Sequence, residues 1–285
     1  MKSQYLLSEE DTNCYVFTNS LVSGQPNVFV WGVTGVISNG IPSDLTNACQ
    51  VATGFNHCVA LREDGGVEAW GINAAGQTNV PSLPFPATSV AAGQSWSAAV
   101  LTDGSVVWWG ALAPTRYIPD GGLNNVVSID SAGTNAIVLD SYGNVTVLDD
   151  KVVSPTIGNA IAVSGDVHRY GAVLADGSVI QWGLKNTNTP ASATNAWSIS
   201  VGSSYTVLGR NDGTGIYWGT NGVVGTNVIG SDVESVSTGM TNAAVMVNSN
   251  LWVKIGSGVL LPPFMYPVKQ ASYRYGFSAA VLRHY

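Results

Sequence analysis

The chain has 285 residues, of which 45% are hydrophobic and only 10% are charged, and its formal net charge is −7. Its 11 Lys and Arg residues are scattered and do not form the clustered basic surface that phosphate backbones require, so we expect no nucleic-acid partner. The 33 Gly residues indicate short strands joined by turns rather than helices.

The N-terminal segment, residues 1–26, lacks the apolar run of a signal peptide, and no stretch approaches the ~20 apolar residues that span a membrane. We expect no membrane insertion, and an extracellular or virion-associated location would require an unconventional export route. Residues 1–26 are predicted to pack on the rest of the chain or on a neighbouring subunit. Cys14, Cys49 and Cys58 are too few for a disulfide framework or a zinc site. Cys58 lies in an apolar run and is expected to be a buried free thiol.

Trp-Gly pairs, counted together with two weaker copies of the pair, recur along the chain at intervals of about 34 to 39 residues, a spacing typical of repeat proteins. Two weaker copies, Leu148-Asp149 and Ile255-Gly256, stand where the same period places them. The five Trp-Gly pairs and the two weaker copies together predict seven structural units. The five pairs are Trp31-Gly32, Trp70-Gly71, Trp109-Gly110, Trp182-Gly183 and Trp218-Gly219. Because each Trp recurs at a fixed strand position, we expect it to pack between neighbouring units.

A hairpin pattern precedes most of these markers. In "AVLTDGSVVWWG" (residues 99–110), apolar runs flank an Asp-Gly pair. This pattern predicts a β-hairpin, and we expect both central residues of its turn to have positive φ. A further short strand ending in Gly, such as "VAAG" (residues 90–93), lies ahead of each hairpin. Each period therefore predicts three or four strands, which is one blade of an all-β propeller.

The two ends of the chain each carry half a repeat. "NVFVWG" (residues 27–32) has no hairpin before it, and "SAAVLRHY" (residues 278–285) has no Trp-Gly after it. Joining both halves in one blade would remove exposed sheet edges. We predict a single β-propeller domain over residues 1–285, with seven blades and a ring closed by N- and C-terminal strands that share one blade.

One repeat copy has Gly54 and His57, then Ala60-Leu61, Asp64-Gly65, Trp70-Gly71, Asn73 and Gly76-Gln77. This copy closely resembles the repeat of the RCC1-like seven-bladed propellers. The ending "GQTNVP" (residues 76–81) is more similar to the bacterial branch, which includes the secreted β-lactamase inhibitor protein II. The blades around residues 138–148 and 245–255 depart from the pattern. The resemblance implies the fold rather than one function, because the family has many functions.

No catalytic motif accompanies the repeat. The sequence has no Walker loop, HExxH pattern, EF-hand loop or GxSxG elbow. His57 stands at a fixed repeat position and is expected to tether a turn, whereas His168 lies near Asp166 in a loop without the other members of a triad. Most Asp residues fall in turns, where they serve backbone geometry. We therefore expect a protein that is not an enzyme, with no cofactor and no metal site.

The candidate binding surface is formed by the loops between the first and second strands of each blade. These loops should encircle the propeller axis at the end opposite the Asp-Gly turns, and loops on a rigid scaffold commonly carry function. Several contain Tyr, Trp or Arg, which dominate binding hot spots. The predicted partner-binding residues are Phe55, Asn56, Trp96, Arg169, Tyr170, Tyr205, Tyr273, Arg274 and Tyr275.

The leading hypothesis is a non-catalytic binding protein that engages a protein partner through these aromatic-rich loops, as a subunit of a larger assembly such as a phage particle or a secreted machine. One alternative is a carbohydrate-binding lectin or adhesin, since aromatic faces stack on sugar rings. Repeated sugar sites should recur with the blade period, however, and these loops differ from blade to blade. A second alternative, implied by the resemblance, is an inhibitor of a secreted enzyme. Exchange-factor activity would need a charged docking face for a GTPase, which the sequence does not show.

Overall fold

The computed structural model describes residues 28–32, 40–111, 113–184, 187–219, 233–238, 243–247, 251–255, 268–274 and 277–282. The predicted N-terminal extension, residues 1–26, lies outside these ranges. Within them the chain is almost wholly β, with one 3₁₀ turn at Pro114–Tyr117. None of the helical structure in these ranges is long and apolar enough to cross a membrane.

The described strands are short and follow one another at the predicted period. In chain order they are β1 (Val28–Gly32), β2 (Ala48–Thr53), β3 (His57–Arg62), β4 (Val67–Gly71), β5 (Ala87–Ala92), β6 (Trp96–Leu101), β7 (Val106–Gly110), β8 (Val126–Ala132), β9 (Asn135–Asp140), β10 (Val145–Leu148), β11 (Ala160–Asp166), β12 (Arg169–Leu174), β13 (Val179–Gly183), β14 (Ala196–Val201), β15 (Tyr205–Arg210), β16 (Gly215–Gly219), β17 (Val233–Thr238), β18 (Ala243–Val247), β19 (Leu251–Ile255), β20 (Val268–Arg274) and β21 (Phe277–Leu282).

These strands form seven antiparallel sheets of three strands each within the described residues. Six sheets consist of three consecutive strands and begin with β2, β5, β8, β11, β14 and β17. The remaining sheet joins β20 and β21 to β1, with Val28 opposite Val281. The first and last described strands therefore pair with each other.

The first strands of six sheets line a cavity. Each first strand packs against the first strand of the next sheet, and β20 packs against β2. The cavity has a volume of about 310 Å³ and is lined by residues of β2, β5, β8, β11, β14 and β17. Its lining is rich in Ser and Thr hydroxyl groups, with the carboxylate of Asp130 among them.

Apolar side chains fill the spaces between neighbouring sheets. Trp109 of β7 is buried together with Val59 and Leu61 of β3 and Val90 of β5. Trp70 and Trp218 are buried in their own clusters between sheets, which confirms the prediction that these Trp residues pack between blades. Cys58 is also confirmed as a buried free thiol, and burial raises the pKa of its sulfhydryl group.

The turn between the second and third strands differs from the predicted geometry. In the β3–β4 turn, the Gly65 N–H donates to the Arg62 carbonyl at 3.0 Å. Gly65 has a φ of +83°, whereas Asp64 is not among the residues with positive φ. This is a type I turn followed by a left-handed Gly. The prediction of two positive φ values was therefore wrong, because Asp64 stays in an ordinary conformation and accepts a hydrogen bond from the Gly66 N–H at 2.9 Å.

The same turns connect each sheet to the next. The carbonyl of Gly143, in the β9–β10 turn, accepts a hydrogen bond from the N–H of Ala160, the first residue of β11, at 3.0 Å. An added Cβ on Gly143 would lie 2.7 Å from the Cα of Asn159. The turns at Gly104 and Gly177 make the equivalent contacts. We call the sheet ends that carry these turns the turn face, and the opposite ends, with the loops between first and second strands, the loop face.

Candidate functional site

Four residues considered in the sequence occupy one repeat position, the first residue of the second strand in a sheet. Each lies opposite the Gly of a Trp-Gly pair. Because this residue begins a strand, its side chain follows strand alternation rather than projecting from a loop. The four pairs are His57 with Gly71, Trp96 with Gly110, Arg169 with Gly183, and Tyr205 with Gly219.

Trp96 is fully buried at this position. Its indole Nε1 donates a hydrogen bond to the Gly133 carbonyl of the next sheet at 3.0 Å. Its ring lies 5.4 Å from that of Trp108, measured between centroids. Both the polar atom and the apolar surface of Trp96 are therefore used within the chain. The expectation that this side chain is displayed to a partner is corrected.

Arg169 is buried in the same way, with only 2% of its surface exposed. Its Nη1 donates to the Gly202 carbonyl at 2.6 Å, and its Nη2 donates to the Thr206 hydroxyl at 2.6 Å. Burial lowers the pKa of Arg169 to about 10, opposed by the nearby charge of Asp166, so the guanidinium remains charged at neutral pH. The expectation that Arg169 lies on the surface is corrected, because this cation joins two sheets.

His57 takes the same role in the second sheet of the chain. Its Nε2 lies 2.9 Å from the Ser97 hydroxyl, which donates to the Gln77 carbonyl at 2.8 Å. The Trp109 indole donates to the same carbonyl at 2.9 Å. Desolvation by burial lowers the pKa of His57 to about 4, so the imidazole is neutral at physiological pH. A buried neutral imidazole tethers adjacent sheets and is not placed for acid-base chemistry on a bound substrate.

Tyr170 is the third predicted site residue that the structure buries. Its ring stacks on Trp182 with centroids 5.9 Å apart, and its hydroxyl donates to Asp149 Oδ2 at 2.6 Å. Burial and the Asp149 carboxylate raise the pKa of Tyr170 well above its usual value, so the phenol remains a neutral donor. The expectation that Tyr170 is exposed at the surface is corrected, because its ring and its hydroxyl are both used within the chain.

Asp149 is the centre of a polar cluster on the loop face. His168 Nδ1 lies 2.8 Å from Asp149 Oδ2, and Lys151 Nζ lies 3.4 Å from His168 Nε2. Asp149 and Lys151 therefore contact opposite nitrogens of the His168 ring. Although burial opposes it, hydrogen bonds from Tyr170, the Lys151 backbone and His168 hold the pKa of Asp149 below its usual value. His168 thus pairs with Asp149, whereas Asp166 accepts a hydrogen bond from the Ser203 hydroxyl.

The same cluster is a group of described residues with the composition of a metal site. Asp149, Asp150 and His168 place their ligand atoms within 4.8 Å of one another. However, hydrogen bonds occupy the Asp149 carboxylate, and the Lys151 ammonium beside His168 opposes a second cation. The chemistry of the cluster therefore fits a hydrogen-bond network between two sheets better than a metal centre.

The other predicted site residues differ in how far they reach solvent. Phe55 is 48% exposed, and its backbone N–H is fixed by the Gly93 carbonyl at 3.1 Å. Asn56 is half-buried and accepts from the Gln77 amide at 3.3 Å. Tyr205 is half-buried, edge-on to Tyr217. Tyr273 and Arg274 end β20, but their side chains are outside the described structure, as is the whole of Tyr275.

Three exposed apolar residues on the loop face were missed by the sequence analysis. Ile72 follows β4 and bonds through its N–H to the Asn56 carbonyl at 2.9 Å. Val167 lies in the loop after β11, and Leu184 follows β13. The signal was available, because an apolar residue directly after Trp-Gly cannot join the core of its own strand. Phe55 and Ile72 lie in adjacent loops of one sheet, and Val167 and Leu184 lie in adjacent loops of another. We call these the two apolar pairs of the loop face.

Comparisons with known proteins agree with this architecture. Residues 48–77, which span β2 to β4 and the loop after them, match the family model of the Regulator of chromosome condensation (RCC1) repeat. No curated protein matches the chain. Residues 48–77 therefore carry one RCC1-type repeat.

Solved structures show how far the similarity of fold extends. Prp20p from Saccharomyces cerevisiae has 16% identity and a TM-score of 0.70, over 92% of this chain and 93% of Prp20p. Human WBSCR16 has 14% identity and a TM-score of 0.68, over 90% of this chain and 100% of WBSCR16. YCF48 bound to a D1 peptide has 11% identity and a TM-score of 0.52, over 90% of this chain and 96% of YCF48. At these identities the likeness concerns the fold.

Proposed function

We propose that the chain is a seven-bladed propeller whose ring is closed by β1 and β21, and that it is a non-catalytic module which binds a protein partner. The pairing of β1 with β21 and the packing of β20 against β2 support the closed ring. A closed ring leaves only short sheet edges and fixes the sheets relative to one another, so its ends are rigid platforms for loops.

The observation that carries the proposed function is a set of four exposed apolar side chains on the loop face. Phe55 and Ile72 belong to one sheet, and Val167 and Leu184 belong to another. Backbone hydrogen bonds hold the loops, since the Ile72 N–H donates to the Asn56 carbonyl and the Leu184 N–H to the His168 carbonyl. Preorganised apolar side chains in exposed loops bind partners at low conformational cost.

Proteins of similar fold support the choice of a protein partner. Prp20p binds Gsp1p and histones, and it is also found bound to Kap60, while YCF48 binds a D1 peptide. These are separate partners of separate proteins. They support protein binding as the use of this fold without identifying the partner of this chain.

The non-catalytic character is part of the proposal. His57 is buried and neutral, and the described contacts of the His168 imidazole are with Asn135, Asp149 and Lys151 rather than with a hydroxyl or thiol nucleophile. The narrower predictions, a subunit of a phage particle or secreted machine and the bacterial branch that includes β-lactamase inhibitor protein II, rest on sequence motifs alone. The lectin and enzyme-inhibitor alternatives stay predictions of the same kind.

Affinity capture from the native source, with identification by mass spectrometry, tests the proposed function. The wild type should capture a protein that the double variant Phe55→Ala, Leu184→Ala loses, because the two substitutions remove apolar area from both pairs. Phe85→Ala, at an equally exposed Phe before β5 on the turn face, is the matched control and should retain the captured protein. Equal capture by the wild type and the double variant would remove the loop face as the binding surface.

A further inference from the structure

The β9–β10 turn departs from the other turns of the repeat. Its tip is Tyr142, whereas the tips of the β3–β4, β6–β7, β12–β13 and β15–β16 turns are Asp. At those turns the Asp accepts a hydrogen bond from the backbone N–H two residues on. Here Asp140 takes over that duty by accepting from the Asn144 N–H at 2.9 Å. The side chain at the tip is therefore not needed to close the turn, and Tyr142 is 73% exposed.

Two further exposed apolar residues flank this turn. Val127 and Ile161 are the second residues of β8 and β11, and each stands at a register shift between its strand and the next. Such bulges redirect a side chain out of the ladder. Val127 is 47% exposed and Ile161 is 50% exposed. At the equivalent positions the chain has the polar Thr88 on β5 and, on β14, Trp197, whose indole bonds to the Arg210 carbonyl at 3.1 Å.

Hydrogen bonds place these three apolar residues side by side. The Ser141 N–H donates to the Asn125 carbonyl at 2.8 Å, two residues before Val127. The Gly143 carbonyl accepts from the Ala160 N–H at 3.0 Å, one residue before Ile161. Tyr142 therefore lies at the junction of two sheets, with Val127 on one side and Ile161 on the other. We call these three residues the apolar patch of the turn face.

Carboxylates border the apolar patch. The Asp103 turn contacts the start of β8 through the Gly104 carbonyl and the Val126 N–H, at 3.0 Å. The Asp176 turn contacts the residue before β11, through the Ala175 N–H and the Asn159 carbonyl, at 2.9 Å. Hydrogen bonds from Ser105 and Ser178 hold the pKa values of Asp103 and Asp176 below their usual range, so both are ionised at neutral pH. Among the described ion pairs, none involves Asp103 or Asp176.

We propose that the apolar patch of Tyr142, Val127 and Ile161, with its rim of Asp103 and Asp176, is a docking surface for a Lys- or Arg-rich protein segment that carries an aliphatic or aromatic anchor. Charge complementarity selects this occupant, because the rim is unpaired and acidic and the chain has a net charge of −7. The same charge disfavours a second copy of the chain. This surface is separate from the loop face and does not depend on the function proposed for that face.

Fluorescence anisotropy with three labelled synthetic peptides tests the docking surface. One peptide alternates Lys and Leu, one alternates Lys and Ser, and one alternates Glu and Leu. The Lys/Leu peptide should bind more tightly than the other two, and its affinity should fall with added salt, because exposed charges are screened. Failure of the Lys/Leu peptide to bind, or equal binding of the Lys/Ser peptide, would overturn the proposal.

Two variants separate the apolar and the acidic contributions. The triple variant Val127→Thr, Tyr142→Ser, Ile161→Thr should weaken Lys/Leu binding about tenfold or more, as expected for loss of central anchors. The double variant Asp103→Asn, Asp176→Asn should weaken binding and reduce its dependence on salt, since Asn keeps the acceptor oxygen of the turn but not the charge.

The matched control is Asp64→Asn, Asp212→Asn, which changes the same turn position in two sheets away from the apolar patch. It should leave binding near the wild-type value, and an equal loss in this control would reduce the effect to unspecific attraction of a polycation. Phe55→Ala, Leu184→Ala should also bind normally, which separates this test from that of the loop face. Sedimentation that revealed a dimer abolished by the triple variant would replace the proposed occupant with a second copy of the chain.

Discussion

Arg169 and Gly202 join two neighbouring sheets: the guanidinium Nη1 donates to the Gly202 carbonyl at 2.6 Å. The second donor, Nη2, bonds to the Thr206 hydroxyl at 2.6 Å. His57 with Ser97 and Trp96 with Gly133 repeat the relationship with other chemistry. One repeat position thus solves the same packing problem with an imidazole, an indole and a guanidinium.

Removal of the Arg169 side chain should destabilise the fold. Arg169→Ala leaves the buried Gly202 carbonyl without its donor and should lower the free energy of unfolding by about 2–4 kcal/mol. Arg169→Lys keeps the charge but lacks the planar fork that reaches both acceptors, so an intermediate loss is expected. Urea unfolding measures both values. An Arg169→Ala protein as stable as the wild type would contradict the role of this contact.

The burial of His57 predicts a dependence of stability on pH. Its pKa in the folded chain is lowered from 6.5 to about 4, so between these values the unfolded chain binds a proton that the folded chain does not. The free energy of unfolding should therefore fall as the pH is lowered from about 6.5 to about 4, by roughly 3 kcal/mol from this group. Comparison of urea unfolding for the wild type and His57→Gln across this range isolates the contribution. Identical pH profiles would contradict it.

Two glycines close in sequence should differ in how much the same substitution destabilises the fold. Gly143 has a φ of +81°, and an added Cβ would lie 2.7 Å from Asn159. Gly143→Ala should therefore cost about 2 kcal/mol or more in unfolding free energy. Gly158 has no atom within 4 Å of such a Cβ, so Gly158→Ala should change stability little. Thermal unfolding of both variants is the measurement, and equal shifts would refute the inter-sheet contact at Gly143.

Trp109 should be needed for stability rather than for binding. It is buried between two sheets and bonds to the Gln77 carbonyl at 2.9 Å, so Trp109→Ala should cost about 3–5 kcal/mol. Phe55→Ala, at an exposed loop position, should stay within about 0.5 kcal/mol of the wild type. Denaturant unfolding of the two variants separates core from surface, and a small loss at Trp109 would contradict its placement in the core.

The repeat period was sufficient to predict the strands and the buried Trp residues. Trp70, Trp109 and Trp218 recur at one strand position, and a large apolar residue that recurs with the repeat must face the neighbouring sheet. The hairpins were also predicted, but their turn geometry was not. Asp-Gly is compatible with more than one turn type, and the extra residue at Gly65 depends on how the turn meets the next sheet.

The predicted surface exposure of binding residues was wrong where a strand begins earlier than the pattern suggested. Trp96 and Arg169 were assigned to loops, but each is the first residue of a strand, so strand alternation turns it toward the neighbouring sheet. The sequence shows which residues lie near such a strand boundary, but it does not show which way their side chains point. Phe55, one residue inside its loop, was placed correctly at the surface.

In the β9–β10 turn, the carboxylate that accepts the turn-closing hydrogen bond belongs to Asp140, two residues before the tip, and not to the tip itself. This arrangement has a consequence for engineering. Because the Asp140 carboxylate closes the turn, the chemistry of the tip is decoupled from the fold. Introducing Asp at Arg210, the equivalent position in the β15–β16 turn, would free the tip at Asp212 for other side chains, whereas the equivalent Leu101 is buried in the core and could not be replaced in this way. The turn face would then carry two interchangeable recognition positions, Tyr142 and the freed tip, suited to selection from combinatorial libraries.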